Sequence, residues 1–491
     1  MNLREFLKRN YMAVIAMAAV VAFLGINHVM ATHKELWFMA VPAALVLVLL
    51  FLKNMDLALM ATALVTPLSI NVAVLGESEL SLPAEPMMIL LTVVFLIRST
   101  IEKAYDKRLL RHPVSIAVMV MLVWMVVVSA TSQLPLVSFK YTAARLWFVI
   151  PFFFAGAYSF RDTKRIRQFF WCYATGLIVV VLITTARTMG HLHDLSTLHH
   201  AMKPFYNDHT AYGCVLALFL PAAFYYIFSR NSKGWARLWW VALFGVLVMG
   251  LYLSFSRAAW ISVVAAVGVF FAVRLGMKIK WMMVCFAVGV GLFFTYQGDL
   301  LYKMGKNSTD SSTELSSQVK SMSNISTDAS NLERLNRWAS ALRMWKEHPV
   351  LGTGPGTYQF LYASYQRSYQ LSVISTNAGD LGNAHSEYIG PLTEQGVPGT
   401  LFITAVFLLT FATGVKVYRS AKSKPVANVA LAFTLSLLTY YVHGAFNNFL
   451  DTDKLSVPFW GFTAVVVALD VFCEKKERQT TEGCLPENSC D

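Results

Sequence analysis

Charge is scarce in this chain. Only 14% of its 491 residues are Asp, Glu, Lys or Arg, against about 25% in an ordinary soluble domain. Cysteine is scarce too, with six in all and no CxxC pair. Cys172, Cys214, Cys285 and Cys473 fall in or near apolar runs, and Cys484 and Cys490 lie near the C-terminus, so neither a disulfide scaffold nor a zinc framework is implied. No repeat of fixed period appears. What is plentiful is apolar surface: 56% of the residues, about 275 side chains, are hydrophobic, and the mean hydropathy is +0.52. Soluble cores cannot hold that excess. A membrane span takes about 20 mostly apolar residues, so the supply furnishes a dozen or more, and a soluble enzyme, a secreted disulfide scaffold and a disordered chain are excluded.

About fourteen runs can span: 11–30, 36–52, 55–75, 86–98, 114–130, 141–159, 168–186, 210–228, 238–254, 258–274, 281–296, 398–415, 426–445 and 455–473. The runs at 36–52 and 86–98 are the shortest, which makes the expectation twelve to fourteen. The first follows Arg4, Lys8 and Arg9 in the manner of a signal peptide, but it is long and has no small-x-small cleavage site, so it is read as retained. With the N-terminus inside, cytoplasmic segments hold 26 of the 41 Lys and Arg, one long outer loop holds 8, and short outer segments hold 7. That asymmetry is what positive-inside orientation produces. The net charge of +13 therefore reports topology and not nucleic-acid binding, since no basic face with interleaved aromatics accompanies it. The reading divides the chain into N-terminal spans (1–297), a large periplasmic loop (298–397), C-terminal spans (398–473) and a cytoplasmic tail (474–491), with both termini cytoplasmic.

A hundred residues is too long for a bare connection, so the outer loop is expected to be functional. It opens with a Ser-rich flap, Gly305 to Ser330. Asn307 and Asn324 match the N-glycosylation pattern, which matters only in a eukaryotic secretory setting. Ser330 with Glu333 predicts a capping box, followed by a helix with Leu335, Trp338, Leu342 and Trp345 on one face and Arg334, Arg337 and Lys346 elsewhere. Such a helix lies along the membrane surface or packs on the outer ends of the spans. It ends at EHPVLGTGPGTY, whose glycines are read as a tight turn and not a phosphate cradle, because no GKS or GKT follows. The loop closes with NAHSEYIGPLTEQGVPGT, which places His385 and Glu387 just ahead of the next span.

Short outer segments carry cations where the topology disfavours them: Arg145, Arg187, Lys203 and Arg257. Arg257 sits within LYLSFSRAAWIS, an apolar setting in which a charge faces a protein interior or a wet cavity and marks a functional site. Five histidines, His191, His193, His199, His200 and His209, crowd the segment after Arg187, but none has the spacing of a metal set such as HExxH. Several cations at one membrane face suit a lipid-anchored diphosphate, since guanidinium matches phosphate oxygens with a planar fork of donors.

KPFYNDHTAYG, SFSRAAW, RWASALRMWKEHPVLGTGPGTY and NAHSEYIGPLTEQGVPGT together resemble the O-antigen ligase and polymerase superfamily of bacterial inner-membrane glycosyltransferases, over about residues 200 to 450. The resemblance implies an all-α, GT-C-like membrane fold, an undecaprenyl-diphosphate-linked glycan as donor and no metal or other cofactor. By it, Arg257 binds the donor diphosphate and His385 activates the acceptor hydroxyl. The family has Asn after the catalytic His, and here Ser386 stands there. It also has a second arginine upstream. Lys203 occupies that neighbourhood and Arg187 lies further back, so the two are carried as alternatives for the second diphosphate ligand. Arg145, Arg337, Glu387 and His443 are carried as acceptor-binding or supporting residues.

The chemistry points the same way. A periplasmic enzyme has no ATP or nucleotide sugar at hand and needs a donor activated beforehand. Cations then act where charge grows on the departing diphosphate, a neutral imidazole takes the acceptor proton, and direct displacement inverts the anomeric carbon. The first reading is a ligase that moves lipid-linked polysaccharide onto a lipid A-core sugar. The alternative is a repeat-unit polymerase. A flippase or transporter fits less well, because the mid-span regions are almost free of carboxylates. Asp451 and Asp453 are placed as possible contacts to sugar hydroxyls.

Overall fold

The computed structural model describes residues 48–75, 78–102, 106–189, 200–229, 232–282, 284, 329–372, 375 and 382–473. The run expected at 11–30, most of those at 36–52 and 281–296, nearly all of the Ser-rich flap, His191, His193, His199 and the tail 474–491 lie outside them. Contacts divide the chain into two units, Met1–Ala58 and Leu59–Asp491. In the first, residues 48–53 are helical, and the Asn54 side-chain oxygen accepts the Leu57 N–H at 3.1 Å, an N-cap for the helix that begins at Met55. The second unit carries everything that follows.

Ten helices among the described residues are long and apolar enough to cross a membrane, and the protein is an all-α multi-pass membrane protein. In chain order the elements are α1 (Met55–Val65), β1 (Ile70–Leu75), β2 (Ser78–Leu82), α2 (Ala84–Glu102), α3 (Pro113–Ala130), α4 (Pro135–Val149), α5 (Thr163–Thr188), α6 (His209–Ile227), α7 (Trp235–Leu253), α8 (Arg257–Arg274), α9 (Ala329–Glu347), α10 (Ile389–Ser420), α11 (Lys424–His443) and α12 (Asp453–Ala468). Helix is the dominant solution because lipid offers backbone amides no partners, so each span must satisfy its own. The most enclosed span is α12, with 89% of its window buried, while α7 and α8 reach only 28% and turn apolar side chains such as Leu238, Val264 and Phe271 outward. α4 continues to Ser159 through a π-helical turn at Ile150–Ala155; Pro151 there lacks an N–H, and the wider turn accommodates the gap.

One expected span is corrected. The run at 55–75 is not a single helix: α1 gives way to a 3-10 turn at Thr66–Leu68 that holds Pro67, and the chain then enters the antiparallel hairpin β1–β2. A buried ion pair pins this hairpin to the start of α12. Lys454 Nζ lies 3.1 Å from Asp453 and bonds the hydroxyls of Ser69 and Ser81, and both hydroxyls donate to Asp453 Oδ2 at 2.8 Å. Asp453 is thus committed to structure and offers no oxygen to a sugar.

α9 packs against the rest of the protein. Leu332, Leu335, Trp338, Ala341 and Met344 form a cluster with Tyr358, Tyr362, Ala384 and Ile389. Glu333 pairs with Arg337 at 2.7 Å; the Ser330 side chain, expected to form a capping box with it, lies outside the described residues. Arg337, expected off the buried face, is itself 5% exposed.

The glycine-rich turn is a brace. Gly396 breaks α10 with φ 69°, a backbone region that glycine enters without penalty, and Pro398 has no N–H for the carbonyl of Glu394. The orphaned carbonyls of Thr393 and Glu394 instead accept the N–H groups of Thr353 (3.1 Å) and Gly354 (2.8 Å), and Val397 N–H goes to Pro349 O at 3.0 Å. Those amides are consumed by the kink, in keeping with the tight-turn reading.

Candidate functional site

The site assembles where four chain turns meet. The first precedes α6. Asp208 is the N-cap and accepts Thr210 N–H at 3.0 Å. Just upstream, Arg187, at the last turn of α5, donates to the carbonyls of Ala201 (3.3 Å) and Lys203, while the Lys203 side chain is exposed. Arg187 therefore holds the backbone that presents Lys203.

The second turn joins α7 to α8. Ser254 Oγ donates to Leu251 O at 2.7 Å and accepts Ser256 N–H at 3.3 Å; Phe255 has φ 49°, and Arg257 opens α8. This turn seats against α6 because residue 213 is glycine: a Cβ there would lie 2.7 Å from Ser254 Oγ. His209 closes the contact, its Nδ1 donating to Ser254 O at 2.9 Å while Nε2 lies 3.7 Å from Asp208 Oδ1.

The third turn carries His385. Its φ of 48° is a left-handed conformation that costs a non-glycine residue on the order of 1 kcal/mol or more and persists only where the surroundings enforce it. Asn383 Oδ1 accepts the His385 N–H at 3.1 Å, and Trp338 Nε1 donates to the His385 carbonyl at 3.4 Å. Ser386, where the family's Asn was expected, caps α10 by accepting the N–H groups of Tyr388 (3.2 Å) and Ile389 (3.3 Å). The amide that hydrogen-bonds the imidazole is supplied by Asn447, from the fourth turn, after α11. Asn447 also lies 3.1 Å from His443 Nε2, and Arg334 Nε donates to Phe446 O at 3.1 Å.

The electrostatics converge on His385. Burial, and then the charges of Arg334 and Arg337, depress it from 6.5 to about 3, against the opposing pull of Asp208 and the Asn447 hydrogen bond. The imidazole is thus neutral at any physiological pH. Burial would raise Asp208, but His209 and the Thr210 hydrogen bonds hold it below the usual carboxylate range. Contacts link the Arg257 turn through His209 to Asp208, whose charge in turn acts on His385.

Of the residues named from sequence, His385, His443 and Arg337 come together here, with Lys203 and Arg257 on the two turns adjoining Asp208. Among the described residues, Arg337 Nη1 is buried without a hydrogen-bond partner, and so is Nδ1 of the fully buried His443. Arg145 and Glu387 are placed differently, on a cavity beyond the His385 turn. Sequence reasoning missed Arg334 and Asn447 as site residues. Arg334 had a spacing signal, standing three residues before Arg337, a separation at which helical side chains are neighbours; Asn447, in the turn after the helix Lys424–His443, had none. Among the described residues no group of three His, Cys, Asp or Glu gathers in the way a metal ion requires.

Residues 241–404 match the family described as O-antigen ligase. The match covers Arg257, Arg334, Arg337 and His385, and stops short of Lys203, Asp208, His443 and Asn447. A search of curated proteins finds no match.

Proposed function

Starting from that family match, we propose that the protein is a glycosyltransferase of the inner membrane which moves an undecaprenyl-diphosphate-linked polysaccharide onto a hydroxyl of a lipid A-core sugar at the periplasmic face. The observation that carries the reading is a neutral, enclosed imidazole at His385, facing Arg334 and Arg337 and tied through Asp208 and His209 to the turn that bears Arg257.

Its chemistry follows from charge. His385 accepts the proton of the acceptor hydroxyl as the oxygen attacks the anomeric carbon. The bond from that carbon to the phosphate oxygen breaks, and the diphosphate leaves with the electron pair. Arg257, Lys203 and Arg334 are set to stabilise the growing negative charge, which exists fully only beyond the ground state and so lowers the barrier. Displacement in one step inverts the configuration, and no metal or cofactor is needed.

Deleting the gene and separating surface lipopolysaccharide on a gel tests the reading. Loss of a ligase leaves bare core and accumulates lipid-linked polymer. Core carrying a single repeat would identify a polymerase instead, and unchanged lipopolysaccharide would remove the function altogether.

A further inference from the structure

Beyond the His385 turn lies a cavity of about 150 Å³ that the proposed chemistry has not used. Its polar wall is built by Tyr141, Arg145, Glu387, Glu394, Asn448 and Asp451, drawn from α4, the start of α10 and the turn before α12. Arg145 is fixed there, donating to Leu450 O at 2.5 Å and to the Tyr141 hydroxyl at 2.8 Å. Glu387 is 5% exposed; one oxygen accepts Leu450 N–H at 2.9 Å and the Tyr440 hydroxyl, and the other makes no hydrogen bond among the described residues. Asn448 Oδ1 is buried with no partner among the described residues. Buried polar groups left unsatisfied are costly and call for an explanation.

We propose that this cavity seats the acceptor sugar, a hydroxyl-bearing ring without phosphate. The proposal rests on the glycosyltransferase reading above and adds where the second substrate binds. Three carboxyl groups stand against a single guanidinium, so the wall suits hydroxyls better than an anionic diphosphate. A sugar ring offers what the wall lacks: hydroxyl donors for Glu387, Asp451 and Asn448 Oδ1, and hydroxyl oxygens for Arg145. The Tyr141 ring supplies a flat apolar face.

Position supports the same assignment. Asn383, Ala384 and Glu387 line the cavity, and His385, between them in the chain, does not; its imidazole feels the charges of Arg334, Arg337 and Asp208. The turn that carries the base therefore also walls the sugar-sized cavity.

Two variants test this on the purified full chain. Asp451→Asn keeps shape and removes the charge; Met121→Phe narrows the cavity from its apolar wall on α3 without touching a polar group. The probe is dephosphorylated core oligosaccharide, with donor and acceptor varied separately. Each variant is expected to raise the acceptor KM by about tenfold, the effect of leaving polar groups of a site unpaired, with the donor KM within about twofold. Calorimetry without donor should show the oligosaccharide binding wild type and binding Asp451→Asn correspondingly weaker. An unchanged acceptor KM in both variants, or a shift in the donor KM instead, overturns the cavity assignment while transfer itself stands. Absence of transfer by wild type to any core acceptor sinks the functional reading, and calorimetry then judges the cavity independently.

Discussion

His385 and His443 are joined by one amide: Asn447 lies 3.1 Å from His443 Nε2 and hydrogen-bonds the His385 imidazole. With its nitrogen toward His443, which can only donate, the amide leaves its oxygen to accept from His385. In a neutral imidazole one nitrogen carries a proton and the other presents a lone pair, the state a general base requires.

The relay predicts a graded loss. His385→Ala should lower kcat by about 10²- to 10⁴-fold, the usual contribution of a positioned base, with donor KM little changed. Asn447→Ala should lower kcat by about tenfold, since it releases the tautomer without removing the base. Steady-state kinetics on purified protein checks both. Equal losses in the two variants would mean that the amide does more than orient.

The pH profile follows from burial. A His385 held at about 3 stays neutral, so kcat should show no acid limb near the ordinary histidine value of about 6.5. Stability has the matching sign. The unfolded chain protonates this histidine below about 6.5 while the folded one does not, so its contribution is intact above that pH and is lost as pH falls toward about 3. Asp451, pushed up to about 7 by burial and then by Glu387, should protonate on mild acidification and weaken acceptor binding. Acceptor KM rising from pH 8 to 6, with kcat flat, is the expected pattern.

The cations separate by role. Arg257→Ala and Arg334→Ala should each weaken donor binding or turnover by about 10²-fold, and Arg257→Lys should recover only part, because an ammonium lacks the fork. Lys203→Ala should raise the donor KM. Arg187→Ala removes support for the Ala201 and Lys203 carbonyls and should lower thermal stability together with donor affinity. Thermal unfolding beside donor titration distinguishes the two. An Arg187→Ala protein of normal stability with lost donor binding would make Arg187 itself a phosphate ligand.

The hairpin pin offers a stability test. Asp453→Ala leaves Lys454 buried and uncompensated and should cost about 3 kcal/mol or more, whereas Asp453→Ala with Lys454→Met should recover most of it. Thermal unfolding in detergent measures both.

Periodicity and charge placement exposed most spans, because a helix in lipid must be long and apolar whatever it packs against. The same signal misread 55–75, where Pro67 and the alternation of INVAVL favoured a turn and a strand that apolar content conceals. Glu333 pairs with Arg337 at 2.7 Å, a partner one helical turn away that the cap reading passed over. Arg257 and His385 were legible as a charge in an apolar stretch and a histidine at a boundary. Asn447 was not, since an Asn sixty-two residues from His385 in sequence carries no local mark of its partner.

Composition and order of residues were enough to establish an all-α membrane protein, because burial in lipid and the cost of stray charge act on each segment separately, and they marked Arg257 and His385 as candidates. Folding alone brought the charges of Arg334 and Asp208 and the amide of Asn447 to bear on that histidine and gathered the carboxyl groups of the cavity around Arg145. Hydrogen bonds and charge pairs act within a few ångströms in space, and distance along the chain does not encode that.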